Sequence, residues 1–318
     1  MPPTPFGKLA SPRFPSAALG LENSQATVVH LDRPRGGGFS IRRAATITLP
    51  QSLIQPSFDD TNISDIASLV NLLSEAALSA GLGKQEKWSV ALPEAVTRVA
   101  ILTLDTEAAS RAELEDVLRW KYERSFGAPT DEIRVTRERL PADAQGRSRY
   151  LATAIRLSVL AEYESVFAEL GWRAGLILPR HQGEALWLNR TAEPGDSLLI
   201  SSHAEGFTAV MLRNKQPTIV RSVMCDAEDR DDELYRLLLF YRDRVVAGDN
   251  GGAPDALNRI LVVGEGFDRN RVSEIVNETL ETRPRMLDAA AVGLLLPSGD
   301  FSFDALAAPA GLATLAWS

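Results

Sequence analysis

The sequence predicts an α/β protein built from two similar lobes. Strands and amphipathic helices alternate along the 318 residues, and this alternation runs twice, each time opening with two strands joined by a turn. A length of 318 residues also suits two lobes at about 150 residues each. Hydrophobic residues make up 45% of the chain and charged residues 24%, with a mean hydropathy of -0.08, which is ordinary for a soluble globular protein.

The first lobe opens with a predicted hairpin whose turn contains Gly36–Gly38. Apolar residues then recur every three or four positions from Ile63, which predicts a helix that ends at Gly81. Four segments of this lobe are short, apolar and rich in β-branched residues, as expected of strands: 26–31, 39–49, 88–92 and 96–104.

An insertion is predicted at about 106–170, before the first lobe closes with a short strand and a helical turn. Its first helix, 110–126, places Leu114 and Val117 on an apolar face and ends at Gly127. Gly171 follows its last helix in the manner of a glycine C-cap. The remaining elements of this region are strands at 133–140, 149–155 and 175–178, and helical segments at 159–170 and 183–189.

The second lobe repeats the strand-turn-strand opening and ends on a small, apolar helix. Its predicted strands are 197–202, 207–212, 218–223 and 259–263, and its helices are 232–246, 271–281 and 306–317, with a glycine-rich loop at 247–254. The predicted organisation is a flexible leader at 1–15, a first lobe at 16–190 and a second lobe at 191–318, with the C-terminal helix packing back.

Charge and composition exclude several classes of protein. The net charge is -8; residues 1–50 hold six Lys or Arg and two acids, a net +4, which leaves -12 for the remainder and disfavours a broad nucleic-acid surface. The basic residues Arg33, Arg35, Arg42 and Arg43 flank the Gly36–Gly38 turn, and we interpret them as a solvated hairpin tip rather than an anion site. No secretory signal and no apolar run of 18 residues occur, so we expect a cytoplasmic protein without direct membrane insertion.

No sharp catalytic or metal motif stands out. Cys225 is the single cysteine and lies beside an acidic run, which disfavours a reactive thiolate, and the three histidines are far apart in sequence. His203 and Glu205 could act as a base and its orienting partner, but a surface turn explains them more simply. We therefore predict no catalytic residue and no metal ligand.

Three turns follow strands, where an α/β fold of this kind holds ligands: 20–25, 201–206 and 264–268. Each turn alone is a weak signal, because most such turns only end a strand.

The order of these turns, the insertion and the strand followed by Gly-x-Gly resembles the actin-like ATPase superfamily. The chain resembles most closely the PilM-type proteins of type IV pilus assembly, relatives of FtsA and of the cytoplasmic domain of GspL-type secretion proteins. The stretches that carry the resemblance are 19–31, 91–104, 113–133, 151–179, 198–223, 261–268 and 306–317. The resemblance implies a two-lobed fold of ribonuclease-H-like repeats with an inserted α+β subdomain in the first lobe.

The chain departs from the nucleotide-binding members of that superfamily at the turns themselves. Their first turn carries Asp, Gly and Ser/Thr, and their second carries Asp-x-Gly, because a carboxylate holds hydrated Mg and glycine lets backbone N–H groups reach phosphate. Here Glu22 falls at the first Asp in a turn without glycine, and Ser201 and His203 fall at the second Asp and its glycine. The candidate cofactor-binding residues are Glu22, Ser24, Gln25, Gly264, Glu265 and Gly266.

These departures predict that ATP with Mg binds weakly or not at all, so that the chain is a pseudo-ATPase. The alternative is an active Mg-ATP-dependent ATPase or small-molecule kinase in which Glu22 is the metal carboxylate.

The resemblance also implies a partner. In the PilM family the insertion leaves a groove for the cytoplasmic N-terminal tail of PilN, a bitopic inner-membrane protein, and an extended apolar peptide would dock there. Residues that could line the groove are Val117, Trp120, Tyr122, Phe126 and Tyr163, of which we expect no more than half to touch a peptide. The candidate partner-binding residues are Val117, Trp120, Phe126 and Tyr163, with Trp120 the best single candidate. We therefore expect a scaffold recruited to the cytoplasmic face of the inner membrane; a two-lobed interaction protein unrelated to pili is the remaining alternative.

Overall fold

The computed structural model describes residues 14–105, 109–191, 195–243 and 257–318. The strands are β1 (Ala17–Leu21), β2 (Gln25–Asp32), β3 (Phe39–Thr48), β4 (Lys87–Leu92), β5 (Arg98–Thr103), β6 (Ile133–Leu140), β7 (Arg149–Arg156), β8 (Arg173–Pro179), β9 (Ser197–His203), β10 (Gly206–Arg213), β11 (Gln216–Met224), β12 (Arg259–Val263), β13 (Arg285–Leu287) and β14 (Leu294–Leu295). The helices are α1 (Ile66–Ser79), α2 (Arg111–Phe126), α3 (Leu157–Glu169), α4 (Arg180–Leu188), α5 (Arg230–Tyr241), α6 (Arg269–Leu280) and α7 (Phe303–Ala313). Most of the predicted leader, 1–15, and the whole predicted loop 247–254 lie outside the described residues.

Two sheets share one strand order, which confirms the predicted two-lobed repeat. The first sheet runs β14-β3-β2-β1-β4-β8 and the second β11-β10-β9-β12-β13. Apart from β14, an additional strand parallel to β3 at the edge of the first sheet, each sheet has three antiparallel strands followed by two parallel ones, because a hairpin and a third strand precede the helical crossovers. The carboxyl ends of β1 and β4 therefore face those of β9 and β12 across one cleft.

The insertion is a separate small layer with different bounds from those predicted. Strands β5, β7 and β6 form a three-stranded antiparallel sheet, and α2 packs its buried Leu118 and Phe126 against it. Ser110 caps the N-terminus of α2 and Gly127, at φ 64°, ends it in the left-handed region. Because β5 pairs with β7, the insertion begins at Arg98 rather than 106, and α3 belongs instead to the core of the first lobe.

Helices α4 and α7 lie between the two sheets and join the lobes. Trp187 of α4 is fully buried and donates its indole N–H to the carbonyl of Ala307 in α7, at 2.8 Å. The helices approach so closely that a Cβ on Gly311 would lie 1.9 Å from the carbonyl oxygen of Gly183. The C-terminal helix thus packs between the lobes. In the part of the chain described, no helix is both long and apolar enough to cross a membrane.

Candidate functional site

A cleft of about 550 Å³ opens between the lobes where the predicted turns meet. The structure brings all six predicted cofactor-binding residues to its walls: Glu22, Ser24, Gln25, Gly264, Glu265 and Gly266. The turn after β9 supplies a third wall through Ser202 and His203, and the start of α7 supplies a fourth through Asp304. The cleft is therefore where a ligand of this fold would bind. The ion pairs and hydrogen bonds that its polar groups already make decide which ligand it accepts.

Glu22, at the position of the metal carboxylate, is held by a buried cation. Its Oε1 lies 3.0 Å from Nη1 of Arg180, and the same guanidinium binds Glu184 at 2.9 Å. Arg180 is 4% and Glu184 0% exposed at the side chain. Burial alone would lower the pKa of Arg180, but the carboxylates of Glu184 and Glu22 outweigh it and raise that pKa. Glu22 thus compensates a buried positive charge.

The carbonyls of the second turn are bound by another buried arginine. Arg230, the first residue of α5, donates Nη2 to the carbonyl of His203 at 2.8 Å and Nη1 to the carbonyl of Glu265 at 3.0 Å. Nη1 also donates to Oγ of Ser202 at 2.7 Å, and that hydroxyl donates to the Glu265 carbonyl. One guanidinium therefore ties the second turn to the Gly-x-Gly turn.

The two glycines of the Gly-x-Gly turn serve this internal packing. At Gly266, whose φ is +100°, a Cβ would lie 1.8 Å from Nη1 of Arg230, and at Gly264 it would lie 2.3 Å from the carbonyl oxygen of Ser202. The backbone N–H of Gly264 donates to Oδ1 of Asp304 at 3.1 Å. A carboxylate therefore already accepts the hydrogen bond that a phosphate would need from this N–H.

A buried carboxylate bridges the lobes behind these turns. Glu94, in the 3₁₀ turn after β4, lies 2.6 Å from Nδ1 of His181 and accepts from Oγ1 of Thr208 in the second lobe at 2.9 Å. Burial alone would raise the pKa of Glu94, but the charge and hydrogen bond of His181, with smaller contributions from His203 and Thr208, lower it to about 2. Glu94 is therefore ionised, and its contacts with His181 and Thr208 link the two lobes.

The second turn lacks the chemistry of a metal site. Ser201, at the position of the metal carboxylate, is fully buried, and its side chain neighbours the buried carboxylate of Glu184. His203 instead contacts Oε2 of Glu205 through Nδ1, at 3.2 Å. Within the described ranges no cluster of three or more His, Cys, Asp or Glu could hold a metal ion.

Sequence reasoning missed three residues that line the cleft, Arg180, Arg230 and Asp304, and two buried carboxylates behind it, Glu94 and Glu184. Two weak signals were present. Arg180 and Glu184 are four residues apart at the start of a helical segment, a spacing typical of ion pairs. Arg230 is the single basic residue among six acids in residues 226–233, which marks it as a position with its own partners.

The candidate partner-binding residues divide into core and surface. Phe126 is 1% and Tyr163 0% exposed, and the Tyr163 hydroxyl donates to Oδ1 of Asn62 at 3.2 Å, so both side chains belong to the core and cannot line a groove. Val117 is partly buried against the core of the insertion. Trp120 is 54% exposed on α2, with the Arg124 guanidinium 5.3 Å from its ring centroid.

A surface groove of about 370 Å³ lies between α2 and the edge strand β6. Its lining residues are Glu115, Arg119, Tyr122, Thr130, Asp131, Ile133 and Val135. The groove therefore adjoins the helix that carries Trp120 and offers an unpaired strand edge.

No protein-family model and no curated protein matches the chain. Among solved structures, the chain is similar to a PilM-PilN type IV pilus biogenesis complex, with 17% identity, a TM-score of 0.72, and coverage of 96% of this chain and 100% of the other. It also matches the cytoplasmic domain of EpsL, an inner-membrane component of the type II secretion system of Vibrio cholerae, at 11% identity and a TM-score of 0.45, covering 94% and 93%. A Bacteroides thetaiotaomicron protein with an actin-like ATPase fold matches at 11% identity and 0.48, covering 94% and 95%.

Only the first of these is similar enough to carry an argument, and at 17% identity that argument concerns the fold. Together with the repeated strand order of the two sheets, the similarity confirms the predicted resemblance: the chain has the two-lobed, actin-like fold of the PilM-type proteins.

Proposed function

We propose that this chain is a scaffold of a type IV pilus or a related secretion machine, and that it works without efficient ATP hydrolysis. In this role it docks the cytoplasmic tail of a PilN-like inner-membrane protein and is recruited to the cytoplasmic face of that membrane. The observation that carries the proposal is the internal pairing of the cleft. Glu22 is paired with Arg180, the turn carbonyls with Arg230, and the Gly264 N–H with Asp304.

The electrostatics of the cleft argue against a nucleotide triphosphate. Mg²⁺ would have to compete with the Arg180 guanidinium for Glu22, at a distance where two positive charges repel strongly. The phosphates would meet the carboxylate of Asp304 and would have to displace it from the Gly264 N–H. Each charge-assisted hydrogen bond lost to the phosphates removes about 1.5 to 3 kcal/mol of binding. We therefore expect weak binding of ATP or none.

The insertion is the better candidate for a partner surface. Trp120 is exposed on α2, the helix that forms one wall of the groove, and an exposed aromatic side chain supplies a large apolar contact, although Trp120 itself does not line the groove. The unpaired edge of β6 offers backbone N–H and C=O groups to an extended peptide. A short membrane-protein tail is suited to both features. The PilM-PilN complex, which shares the fold, supports this class of partner.

A binding titration tests the docking proposal. A fluorescent peptide copied from the cytoplasmic tail of a PilN-like protein is titrated with the wild type, with Trp120→Ala and with Leu78→Ala. Leu78 is 65% exposed on α1 and serves as a matched control for the loss of an exposed apolar side chain. We expect Trp120→Ala to weaken binding at least tenfold, a cost of about 1.4 kcal/mol, with an unchanged thermal midpoint. Equal affinities for Trp120→Ala and the wild type would exclude this surface.

The alternative, an active Mg-ATP-dependent ATPase or small-molecule kinase, requires Glu22 to leave Arg180 and ligate Mg²⁺. That rearrangement would leave Arg180 with Glu184 alone in a buried site. Measurable Mg-ATP affinity together with phosphate release would establish this alternative.

A further inference from the structure

Basic residues are concentrated at the end of the first sheet that lies opposite the cleft. β2 ends there and β3, β4 and β8 begin there, because β4 and β8 run parallel to β1 while β2 runs antiparallel to it. We call this end the basic edge. Its cationic residues are Arg33, Arg35, Arg42, Arg43, Lys84, Lys87, Arg173 and Arg190, and its acidic residues are Asp32, Glu86 and Glu169. Eight cations against three acids contrast with a net charge of -8 for the whole chain.

Several of these cations have no carboxylate partner. Arg42 pairs with Asp32 at 3.3 Å, and Arg43 donates to the carbonyl of Gly81 at 2.8 Å. Arg33 and Arg35 are exposed, and among the described residues neither forms an ion pair or hydrogen bond. Two charges at the hairpin tip are therefore free to meet an anion.

Arg190 brings a third guanidinium to the same place. Its Cζ lies 4.5 Å from the centroid of the Phe39 ring, and that of Arg33 lies 5.8 Å from the same centroid. Its Nη2 donates to the carbonyl of Thr314 at 3.3 Å, which leaves its charge uncompensated. Two guanidinium groups that contact one ring repel each other. An anionic surface beside them would offset that repulsion by neutralising both charges. From the sequence alone we interpret this tip as solvated rather than as an anion site. The convergence with Arg190, which lies far from the hairpin in the chain, changes that interpretation.

An exposed apolar side chain accompanies these charges. Leu295 of β14 is 68% exposed, and β14 pairs with the start of β3 at Phe39 and Ser40. Phosphate groups and a nearby apolar layer are both present at a lipid surface, whereas a nucleic acid offers phosphates without that layer. The combination of free arginines with Leu295 therefore favours lipid.

We propose that the basic edge binds the surface of an anionic lipid bilayer and orients the first lobe with its cleft away from the membrane. Leu295 contacts the headgroup region, and Arg33, Arg35 and Arg190 meet lipid phosphates. The contact is peripheral and involves no spanning segment. It depends on local charge and is independent of any partner protein, so its failure and the failure of tail docking are separate results.

Vesicle co-sedimentation tests the proposal on the full chain. Vesicles of phosphatidylglycerol and phosphatidylcholine are compared with vesicles of phosphatidylcholine alone, without a partner. We expect binding to the anionic vesicles only, and weakening as salt rises from 0.05 to 0.5 M. The variant R33E/R35E is expected to bind at least about 25-fold more weakly, since each basic residue near such a surface contributes roughly fivefold.

The control variant is R221E/R283E, which makes the same change in net charge at two exposed positions of the second lobe. We expect it to bind anionic vesicles as the wild type does. Three results with vesicles would overturn the proposal: no binding of the wild type to anionic vesicles, equal loss in both variants, or displacement by millimolar inorganic phosphate, which would indicate a site for a free anion. Binding to duplex DNA but not to vesicles, with the same dependence on Arg33 and Arg35, would assign the edge to nucleic acid and equally overturn it.

Discussion

The cleft and the basic edge lie at opposite ends of the same sheet and differ in whether their charged side chains are paired within the chain. In the cleft, Arg180 and Arg230 are buried and bound by carboxylates or carbonyls of the chain itself. At the basic edge, Arg33 and Arg35 are exposed and form no ion pair or hydrogen bond within the described residues. A charge already satisfied inside the fold stabilises it, whereas an unsatisfied exposed charge is available to a partner. The difference shows that the charges of the cleft are paired within the fold, whereas charges of the basic edge are exposed to solvent.

Replacing Arg230 should produce the largest effect on stability. Arg230→Met removes the donor to the carbonyls of His203 and Glu265 and to Ser202; the Glu265 carbonyl keeps the Ser202 hydroxyl, but the part-buried His203 carbonyl loses its charged donor. We expect a loss of about 3 to 5 kcal/mol in the free energy of unfolding, measured by urea denaturation. The control is Arg236→Met on the same helix, whose side chain is 67% exposed and pairs with Glu233, and which should cost less than about 0.5 kcal/mol. Equal small losses would show that the cleft arginine is not structural.

Two glycines sharpen the comparison without removing a charge. Gly266→Ala places a methyl group on Nη1 of Arg230 at a backbone φ of +100°, so the turn or the arginine must move. We expect about 2 to 3 kcal/mol of destabilisation in the same assay. Gly36→Ala at the hairpin tip meets no atom within 4 Å and should be nearly neutral. A neutral Gly266→Ala would mean that the cleft has room for a ligand at this turn.

The bridge between the lobes should be visible as a pH dependence of stability. The folded pKa of Glu94, about 2, lies below its ordinary value of 4.5. Its contribution is therefore fully present above about pH 5 and is lost as the pH falls toward 2. We expect Glu94→Gln to cost about 2 kcal/mol near pH 6 and progressively less below pH 4. Glu75→Gln, at an exposed position on α1, corrects for the loss of one negative charge. A cost independent of pH would show that Glu94 acts only through its shape and hydrogen bonds.

The sequence predicted the architecture better than it predicted how the polar groups of the cleft are paired. β-branched runs and three- and four-residue periodicity located most strands and helices, because local pattern follows burial on a sheet or helix face. The same patterns wrongly placed β5 outside the insertion. Only the antiparallel pairing of β5 with β7 shows that β5 belongs to it. The turns that contain Glu22 and Gly264 both lie at one cleft.

The groups that fill the cleft were not predictable in the same way. Arg180, Arg230 and Asp304 come from three separate helices, and their respective partners Glu22, Glu265 and Gly264 lie 35 to 158 residues away in the chain. No periodicity encodes such distant pairs. Trp120 and Phe126 lie on one helix with similar apolar character, and only the packed structure separates the exposed ring from the buried one.

The most direct test of the central claim is a calorimetric titration of the full chain with millimolar Mg-ATP, with phosphate release followed in the same sample. The internally paired cleft predicts no binding tighter than about 10 μM, about 7 kcal/mol, and no phosphate release. Binding tighter than this with phosphate release would contradict it, because Glu22 and the Gly264 N–H would then be available to metal and phosphate despite Arg180 and Asp304.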